Sequence, residues 1–333
     1  PPNSEPESDK RFASSVATMY LLITFFRNLL YDLGILRSYR FDFPIITVGN
    51  ITVGGTGKTP HIEYFVRRYS AEGKRVAVVS RGYRRKTKGM VVADSRSTAD
   101  SIGDEPYQIF RKFPHIMLVA DSDRVRAVKY LMAQEVKPDI ILLDDGFQYR
   151  RLAAGRQVVL VDYGRPIFED RILPYGRLRE CRCGIRRADE VIVSKCPSDI
   201  SEAAKQQWAQ RLGLPERIEL RFSTLDFLPP RNIFSGEPLD MDGKHDLHVI
   251  TGVVRADSLY DYLRPFAATM ERTAFADHHR FSAGDIEFIN RLADRGTTII
   301  VTEKDASKLV AASTLSPAAR RQLYSVEVRV RFV

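Results

Sequence analysis

The sequence contains little cysteine. Only Cys181, Cys183 and Cys196 occur among 333 residues, and their number and uneven spacing cannot support a disulfide framework. So few thiols are typical of a protein in a reducing compartment. The Cys181-x-Cys183 pair stays open as a metal-binding pair, although no second Cys or His pair lies at zinc-finger spacing.

The sequence also lacks the signatures of nucleic-acid binding. The formal net charge of +9 favours anionic partners, which include nucleic acid, acidic lipid head groups and phosphorylated substrates. No helix-turn-helix, zinc-finger or RNP pattern accompanies that charge. We therefore predict no nucleic-acid partner.

A long hydrophobic run is missing as well. Residues 12–26 are uncharged, and their apolar side chains are not confined to one helical stripe, which favours lipid or a deep core. As a helix they would reach about 22 Å against the ~30 Å hydrocarbon slab, so spanning is marginal unless the helix continues past Arg27. We expect a membrane-associated helix, inserted in one leaflet or tilted across. A helix buried by the protein itself is the alternative.

The residues after this segment predict on which side of the membrane the rest of the protein lies. No small-residue cleavage site follows, so removal as a signal peptide is not expected. Arg27, Arg37 and Arg40 come next, and positive residues of this kind favour the cytoplasmic side. The body of the protein is therefore expected on that side.

Short β-branched apolar runs alternate with helix-compatible stretches, as in α/β proteins with crossover helices. Continuous runs of this kind suit fully buried parallel strands. We predict an α/β fold with a P-loop NTPase-like parallel sheet domain and a second, smaller α/β domain, whose strands after residue 150 form a second sheet. The predicted segments are 1–38 for the N-terminal membrane-associated helix, 39–152 for the nucleotide-binding domain, and 153–333 for the second domain with a lid loop, whose C-terminal tail can return to the first domain.

The clearest chemical signal lies in residues 44–60, which read PIITVGNITVGGTGKTP. A buried strand leads into a glycine-rich turn and then into a proline suited to the first turn of a helix. Backbone amides of the turn would converge on phosphate oxygens, Lys58 would neutralise the β and γ phosphates, and the Thr59 hydroxyl would hold Mg²⁺. Thr52 replaces the first glycine of the strict pattern. The predicted nucleotide-binding residues are Thr52, Val53, Gly54, Gly55, Thr56, Gly57, Lys58 and Thr59.

Two aspartates follow another buried strand. Residues 140–143 lead into Asp144 and Asp145, at the carboxyl end of a strand, where ligand sites of α/β proteins collect. The pattern is similar to Walker B, so one carboxylate would reach Mg²⁺ directly or through water. Capping of a following helix is the alternative.

Further polar clusters interrupt apolar segments at residues 80–84, 103–106 and 277–279. Asp104 and Glu105 are equally consistent with simple capping of the next helix. Asp277, His278 and His279 fit a metal site, surface histidines, or an Asp–His pair that activates a hydroxyl. Arginines between residues 169 and 187 suit either a loop that closes over a γ-phosphate or a solvated basic loop.

Seven motifs, taken in order, resemble those of the tetraacyldisaccharide 4'-kinase family of lipid A synthesis. The likeness covers nearly the whole chain, and seven motifs in the family's order are far more specific than one loop. The motifs are VGN at 48–50 running into GGTGKTP at 54–60, SRGY at 80–83, GDEP at 103–106, LDDGFQ at 143–148, LPYGRLRE at 173–180, DHH at 277–279 and TEKDA at 302–306.

The resemblance implies transfer of the ATP γ-phosphate to the 4'-hydroxyl of a tetraacylated glucosamine disaccharide 1-phosphate, the lipid A disaccharide precursor. It implies ATP and Mg²⁺ as cofactors, a place at the cytoplasmic face of the inner membrane against its anionic inner leaflet, and a hinged closure of the second domain. By this likeness Asp104, paired with His278, would activate the acceptor hydroxyl. The other implied site residues are Lys58, Arg81 and Tyr83 for catalysis, Thr59, Glu105, Asp144 and Asp145 for the metal, and Gln148, Arg171 and Arg179 for substrate and lid.

The chain departs from the family pattern at a few positions. Tyr149 stands where a histidine usually follows the glutamine, and Tyr175 and Arg177 alter the lid motif. Residues 253–256, VVRA, replace a more usual Ile-Ala-Asn-Pro-like turn. These changes affect local contacts and leave the predicted reaction class intact.

The main rival is a P-loop ATPase or GTPase switch that acts at the membrane surface. Partitioning ATPases carry an additional lysine where this chain has Val53. A guanine-nucleotide switch needs an Asn/Thr-Lys-x-Asp motif, but residues 194–197 lack the aspartate and residues 302–305 have the lysine shifted. The kinase hypothesis is therefore preferred.

Overall fold

The continuous apolar runs of the sequence form parallel strands, and the stretches between them form helices, as predicted for an α/β fold. The computed structural model describes residues 7–252, 256–276, 279–310 and 312–333. The strands are β1 (Tyr39–Arg40), β2 (Ile45–Asn50), β3 (Val76–Ser80), β4 (Val91–Val92), β5 (Met117–Ala120), β6 (Ile140–Asp144), β7 (Leu152–Ala153), β8 (Arg156–Asp162), β9 (Glu190–Ser194), β10 (Glu219–Phe227), β11 (Arg231–Asn232), β12 (His245–Thr251), β13 (Ala267–Ala274), β14 (Thr298–Thr302), β15 (Leu323–Val326) and β16 (Val328–Phe332). The α-helices are α1 (Glu7–Asp32), α2 (Lys58–Ala71), α3 (Ala99–Ile102), α4 (Asp104–Lys112), α5 (Arg124–Met132), α6 (Glu202–Leu212), α7 (Asp257–Leu263), α8 (Ala283–Asp294), α9 (Glu303–Leu309) and α10 (Pro317–Gln322).

The chain divides into two units whose boundaries differ from the predicted ones. The first unit comprises Pro1–Arg81, Ile116–Leu225 and Val330–Val333, and the second comprises Gly82–His115 and Asp226–Arg329. The predicted boundary after residue 152 is replaced by one near residue 225, and an inserted segment leaves the first unit at residue 82. The C-terminal tail returns to the first unit, as the sequence allowed.

A parallel sheet with β2 at its centre forms the first unit. The strand order is β16-β10-β9-β8-β2-β6-β3-β5, and the pairs from β10 to β5 run parallel. The prediction that strands after residue 150 form a second sheet is wrong for β8, β9 and β10, because β8 pairs with β2 and extends the first sheet. Val48 of β2 lies opposite Asp144 of β6, so the loop after β2 and the end of β6 meet at one edge.

The second unit holds a mixed sheet with the order β11-β15-β14-β12-β13, in which only β11 runs antiparallel to its neighbour. Helices α8 and α10 pack on this sheet, and Ile286 of α8 joins Ile299 and Leu323 of the strands in one buried apolar cluster. The inserted segment contributes α3 and α4, and Lys112 at the end of α4 pairs with Glu303 at the start of α9. Helix α4 is thus held against α9 within this unit.

Helix α1 contacts the first unit along one face and exposes another. The Tyr20 hydroxyl donates to Arg179 O at 2.9 Å, and Asn28 Nδ2 donates to Glu180 Oε2 at 3.0 Å. Among the residues that the structure describes, no helix is both long enough and apolar enough to cross a membrane. The other face of the helix exposes Met19, Leu22, Ile23, Phe25 and Phe26. The alternative of a helix buried by the protein itself is therefore wrong for this stretch.

Candidate active site

The loop between β2 and α2 is anchored by buried side chains around it. Asn50 Nδ2 donates to Thr56 Oγ1 at 2.8 Å, and Ser194 Oγ donates to Thr56 O at 2.8 Å. Gly54 and Gly57 adopt φ values of 102° and 84°, which residues with a side chain rarely adopt. The glycine pattern therefore reflects a real backbone requirement of this loop.

Backbone contacts of Thr52 and Val53 hold the start of the loop in place. Thr52 is buried and forms an isolated bridge with Leu178. The Val53 amide donates to Arg177 O at 2.8 Å, so this amide is paired with the lid stretch, residues 173–180. A residue at position 52 that pairs with a strand-like partner does not need to be glycine, which accounts for the departure from the strict pattern.

Lys58 and Thr59 form the first turn of α2. The N-cap residue is Gly57, which supplies no side chain to the first amides, and no acidic residue lies in the first turn. The unpaired amides and the positive end of the helix dipole make this terminus suited to an anion such as phosphate. The structure therefore gives the predicted loop the strand, turn and helix order that phosphate binding requires.

His61 supports the same turn from inside the protein. Its Nδ1 lies 2.7 Å from Gly57 O, and its Nε2 lies 3.0 Å from Ser223 Oγ. Burial lowers the pKa of His61 to about 4, against the smaller raising effect of its contact with Gly57, and the nearby Lys195 adds to the lowering. The imidazole is therefore neutral at neutral pH, and its hydrogen bonds join Gly57 to Ser223.

Asp144 and Asp145 end β6 beside this loop. Ser80 Oγ donates to Asp144 Oδ2 at 3.0 Å, which fixes that buried carboxylate. Asp145 has a φ of 49°, an uncommon backbone conformation for a residue with a side chain and one found at functional sites. Residues 145–151 form turns and no helix, so the helix-capping alternative for these aspartates is wrong.

Asp145 lies between positive groups. Lys58 Nζ is 3.8 Å from its Oδ1, and Arg179 Nη1 is 3.0 Å from each of its oxygens. Burial acts to raise the pKa of Asp145, but the charges of Lys58, Arg179 and Arg124 outweigh it, and the pKa lies below its ordinary value. The carboxylate therefore stays ionised and ties the loop lysine to the lid arginine.

Arg124 belongs to none of the motifs of the sequence. This arginine is buried at the start of α5, and its guanidinium lies 4.9 Å from the centre of the Tyr149 ring. Burial lowers its pKa, while the charges of Asp145 and Asp144 act to raise it. The available signal was the polar run at residues 121–124 directly after β5, at the same edge of the sheet as the two aspartates. Tyr149, one of the departures from the family pattern, stacks on this arginine.

The lid stretch reaches the site through Arg179, and Gln148, which follows β6, contacts Glu180 of that stretch. The Arg179 amide donates to Ile51 O at 2.8 Å, and Gln148 Nε2 donates to Asn50 O at 2.6 Å. Arg171 is exposed, and its carbonyl accepts the Leu178 amide at 2.9 Å. The structure therefore brings Arg179 to Asp145 and leaves the Arg171 side chain on the surface.

Two of the departures from the family pattern are tolerated because their side chains are exposed. Tyr175 and Arg177 both lie on the exposed side of the lid stretch. Between them, a Cβ atom on Gly176 would lie 2.1 Å from Arg171 O, so this position requires glycine. The turn therefore depends on its glycine and not on the altered residues beside it.

In the second unit, Asp104 and Glu105 open α4. The N-cap position itself is Gly103, so neither carboxylate caps the helix, although both lie in its first turn, where the dipole favours negative charge. Gly103 has a φ of 99°, and a Cβ there would lie 3.0 Å from Tyr83 O. The GDEP motif therefore combines a glycine that the backbone requires with two carboxylates that it leaves available for other contacts.

Lys308 is a second residue that belongs to none of the motifs. Its Nζ lies 3.2 Å from Asp104 Oδ2 and donates to His279 O at 2.9 Å. The side chain is only 10% exposed, so this ion pair is poorly screened by solvent. The signal was a lysine one helical turn after Asp305 of the TEKDA motif. Lys308 holds Asp104 in one orientation.

Several predicted residues lie elsewhere. Arg81 is exposed after β3, and Tyr83 is 56% exposed in the inserted segment. His278, with Asp277, lies outside the described residues, as do residues 253–255 of the fourth departure. His279 Nε2 lies 2.9 Å from Asp285 Oδ2, and its ring stacks on Phe275 with centroids 4.0 Å apart. These two contacts hold the His279 side chain in place, as is typical of a residue that supports the fold.

Oxygen ligands suited to Mg²⁺ are present at the end of β6. In nucleotide sites this ion takes one or two carboxylates together with substrate phosphates and water. Asp144 and Asp145 fit that set, because the 3.8 Å contact with Lys58 brings the Asp145 carboxylate to the start of α2, where Thr59 lies, and Asp144 directly precedes it. Within the described ranges no cluster of three or more His, Cys, Asp or Glu is arranged as an all-protein metal site.

The cysteine pair does not favour a metal. The Cys183 amide donates to Cys181 Sγ at 3.3 Å. Burial raises the pKa of Cys183 to about 11, which opposes the thiolate form that metal binding needs.

Known proteins resemble this chain along nearly its whole length. The family model described as Tetraacyldisaccharide-1-P 4'-kinase matches residues 10–333. The Flavobacterium johnsoniae protein named tetraacyldisaccharide 4'-kinase is 39% identical over 321 residues, which cover 95% of this chain and 91% of the relative. Its namesake from Parabacteroides distasonis is 41% identical over 318 residues, covering 92% and 86%. The crystal structure of LpxK from Aquifex aeolicus in complex with ATP has a TM-score of 0.77 at 27% identity and covers 97% of this chain and 95% of that one.

Acid should destabilise the first unit through His61. Because the pKa of His61 falls from 6.5 to about 4 on folding, the folded state binds fewer protons than the unfolded state between those pH values. The free energy of unfolding is unaffected by His61 above pH 6.5 and falls as the pH drops towards 4. The decrease between pH 7 and pH 5 is about 2 kcal/mol. Urea unfolding followed by the fluorescence of Trp208, the single tryptophan, measures this loss.

The His61→Gln variant should lose less stability than the wild type between the same two pH values. His245→Gln, at a half-buried histidine of the second unit, is the matched control and should behave like the wild type. Equal losses in all three proteins would contradict the assignment.

Proposed function

We propose how this chain, which belongs to the tetraacyldisaccharide-1-P 4'-kinase family, carries out its reaction. The enzyme transfers a phosphoryl group from ATP, with Mg²⁺, to the 4'-hydroxyl of the lipid A precursor tetraacyldisaccharide 1-phosphate. The observation that carries this function is the family match over residues 10–333. The loop that presents Lys58 and Thr59 at the start of α2 supports it. No observation favours an ATPase or GTPase switch.

The β and γ phosphates of ATP are assigned to the turn at residues 54–59. Its glycines allow backbone amides to approach the phosphates, and Lys58 neutralises the charge that moves during transfer. Arg179 and Arg124 supply further positive charge, because both act on Asp145 at the same edge of the sheet. A phosphoryl group in flight is stabilised by cations fixed in this way.

Thr59, Asp144 and Asp145 of the first unit are the proposed holders of Mg²⁺, and a metal role for Glu105 is proposed on the family likeness alone. When bound, the ion neutralises phosphate oxygens and orients the leaving group. Ser80 keeps Asp144 in a fixed orientation for this role.

Asp104 is proposed to take the proton of the acceptor hydroxyl. The 4'-oxygen forms its bond to the γ-phosphorus while the bond from that phosphorus to the bridging oxygen of the leaving ADP breaks. Lys308 orients the carboxylate for this step, and His278 is the proposed partner by family likeness. The catalytic roles of Arg81 and Tyr83, and the substrate or lid roles of Gln148 and Arg171, are proposed on the same likeness.

Replacement of Lys58 by Ala should lower turnover at least about a hundredfold, since a fixed charge that stabilises the transition state is lost. The fold should survive, because Arg179 still pairs with Asp145. Steady-state kinetics with radiolabelled ATP and a purified acceptor measure turnover, and a thermal melt checks the fold. The control is Lys74→Ala, at an exposed lysine that pairs with Glu72. Near-normal turnover of the Lys58 variant would refute the assignment.

Replacement of Lys308 by Met tests the positioning of Asp104. We expect kcat to fall roughly tenfold with little change in the KM for ATP. The acidic limb of the kcat/KM pH profile should move to higher pH, because a carboxylate that loses a neighbouring ammonium group holds its proton more tightly. Lys308→Arg should restore part of kcat, and Asp104→Asn should lower kcat in the same direction and more strongly.

Lys112→Met is the matched control for this experiment. Lys112 lies on the same helix as Asp104 and also joins α4 to α9, through Glu303, but it does not contact Asp104. This variant should lose stability and keep the acidic limb in place. If the Lys308 variant gives the same kcat/KM pH profile as the control, Lys308 has only a structural role.

Helix α1 is proposed to lie in one leaflet of the membrane. Its exposed face carries Ile23 at 60% and Phe26 at 55% exposure, and contiguous apolar surface of this kind is typical of a lipid-binding helix. Leu33, Ile35 and Leu36 continue the apolar surface beyond the helix. The opposite face keeps its polar contacts with the first unit. This arrangement supports a helix that lies on the bilayer.

The proposed location is the cytoplasmic face of the inner membrane. Arg27, Arg37 and Arg40 follow the apolar segment, and basic residues in such positions favour the cytoplasmic side. The net charge of +9 favours the anionic inner leaflet.

The double replacement Ile23→Glu and Phe26→Glu should weaken vesicle binding at least about tenfold, since the apolar contact of two large side chains is lost. The KM for the acylated acceptor should rise, while the KM for ATP should not. Flotation with liposomes measures the binding. Val136→Glu, at a valine of the first unit with 55% exposure, is the control. Unchanged flotation of the double variant would disprove the role of this face.

A further inference from the structure

A lysine outside the motifs contacts the phosphate loop, residues 54–59, from the end of β9. Lys195 directly follows β9 and belongs to the first unit, as the loop does. Its Nζ donates to Gly55 O and lies 3.1 Å from Asp162 Oδ2, at the end of β8. Residues 194–197 lack the aspartate that a guanine-reading motif needs, and the structure shows a different environment for this lysine.

The backbone at Lys195 adopts an uncommon conformation. Its φ of 59° lies in the left-handed region, which residues with a long side chain rarely adopt. The Tyr163 amide donates to Ser194 O at 2.9 Å and the Cys196 amide donates to Ser223 O at 2.9 Å, so the chain is tied on both sides of this residue. Such conformations persist where the surrounding structure fixes them, and they are found at functional sites. Here the strained residue is the one whose ammonium group reaches the loop.

Side chains hold the carbonyl groups of the loop on its protein side. A planar trans peptide directs its carbonyl and its amide to opposite sides. Ser194 Oγ donates to Thr56 O at 2.8 Å, and His61 Nδ1 lies 2.7 Å from Gly57 O. The amides of the two following residues, Gly57 and Lys58, therefore face away from these side chains, as phosphate binding requires.

Lys195 orients the preceding peptide group. Its contact with Gly55 O fixes the peptide between Gly55 and Thr56, whose amide donates to Gly54 O at 3.0 Å. Both glycines are exposed and have no side chain, so the turn would otherwise sample many conformations. A charged donor that is itself paired with Asp162 limits this freedom before a nucleotide binds.

The same ammonium group borders the loop as far as Gly57. A Cβ atom on Gly57 would lie 4.0 Å from Lys195 Cε, in ordinary contact. Burial lowers the pKa of His61, and the charge of Lys195 lowers it further, which favours the neutral imidazole beside Gly57 O. Lys195 therefore affects both the backbone of the turn and the charge around it.

We propose that Lys195 is a positioning residue for ATP, which keeps the turn at residues 54–56 in the conformation that binds phosphate. The inference rests on the proposed function, because the β and γ phosphates are assigned there to residues 54–59. Lys195 acts through the loop, since its ammonium group is paired with Gly55 O and Asp162. Preorganisation of this kind increases affinity, because less conformational entropy is lost when the ligand binds.

Lys195→Met tests this role, because methionine keeps most of the side-chain length without the charge and the N–H donors. The dissociation constant for ADP should rise roughly tenfold, as expected for the loss of a charge-assisted hydrogen bond. The KM for ATP should rise by a similar factor, while kcat and the KM for the acceptor stay close to those of the wild type. Lys195→Arg keeps a charged donor and should restore part of the affinity. Isothermal titration calorimetry measures ADP binding without turnover.

Binding of AMP separates the positioning role from direct contact with the nucleotide. AMP lacks the β and γ phosphates that the loop receives, so its dissociation constant should be the same for Lys195→Met and the wild type. Displacement of a fluorescent ADP analogue measures this constant. A loss of AMP affinity as large as the loss for ADP would overturn the proposal, since Lys195 would then contact the nucleoside or the α-phosphate.

Arg156→Met is the matched control. Arg156 Nη2 lies 2.8 Å from Glu190 Oε2, so this ion pair joins β8 to β9 at the sheet edge opposite the loop, as Lys195 and Asp162 join them at the loop edge. The control should lose stability in a urea titration and keep its affinity for ADP. If Lys195→Met also loses stability and still binds ADP as the control does, the positioning role is wrong.

Asp162→Asn keeps the lysine and removes the carboxylate that holds it. This variant should weaken ADP binding in the same direction as Lys195→Met, and it takes the place of that variant in the comparison if Lys195→Met does not fold. An ADP affinity that is unchanged in the folded variants overturns the inference.

Failure of the proposed function gives a different result. A wild-type protein that binds neither ADP nor ATP contradicts the assignment of the loop to the nucleotide. A wild-type protein that binds both, together with an unchanged Lys195→Met variant, contradicts the role of Lys195 alone.

Discussion

A single carboxylate between two cations organises the site of the first unit. Asp145 binds Lys58 from the start of α2 and Arg179 from the lid stretch, so three separate elements meet at one charge. The site is partly shielded from solvent, where such attractions exceed those of surface pairs. The strained backbone of Asp145 points its side chain into this position. Loss of Asp145 would leave both cations without their balancing charge.

The parts of this arrangement that follow from local physics could be predicted from the sequence. Gly54 and Gly57 occupy backbone conformations that residues with a side chain rarely adopt, and Lys58 follows them at the helix start. The continuous apolar runs predicted buried parallel strands, because both faces of such strands are covered. An uncharged apolar segment likewise predicted the helix that exposes Ile23 and Phe26. In each case the physical cause of the local structure lies within a few neighbouring residues.

The parts that depend on distant pairing could not be predicted. An apolar run such as β8 fits a second sheet as well as the first, and only its pairing with β2 places it. Arg124 and Lys308 are single charged residues on helices, where most such residues face solvent. Their importance arises from the carboxylates that the fold brings beside them. The insertion of residues 82–115 into the second unit has no local signal for the same reason.

The hydrogen bonds from α1 to the lid stretch have a thermodynamic consequence. Tyr20 and Asn28 bind the backbone of Arg179 and the side chain of Glu180, while Arg179 itself holds Asp145. Under the bilayer contact proposed for α1, a bilayer that favoured one arrangement of these contacts would alter the affinity of the loop for nucleotide, and linkage would make that effect reciprocal. The residence time on the bilayer would then vary with what occupies the loop.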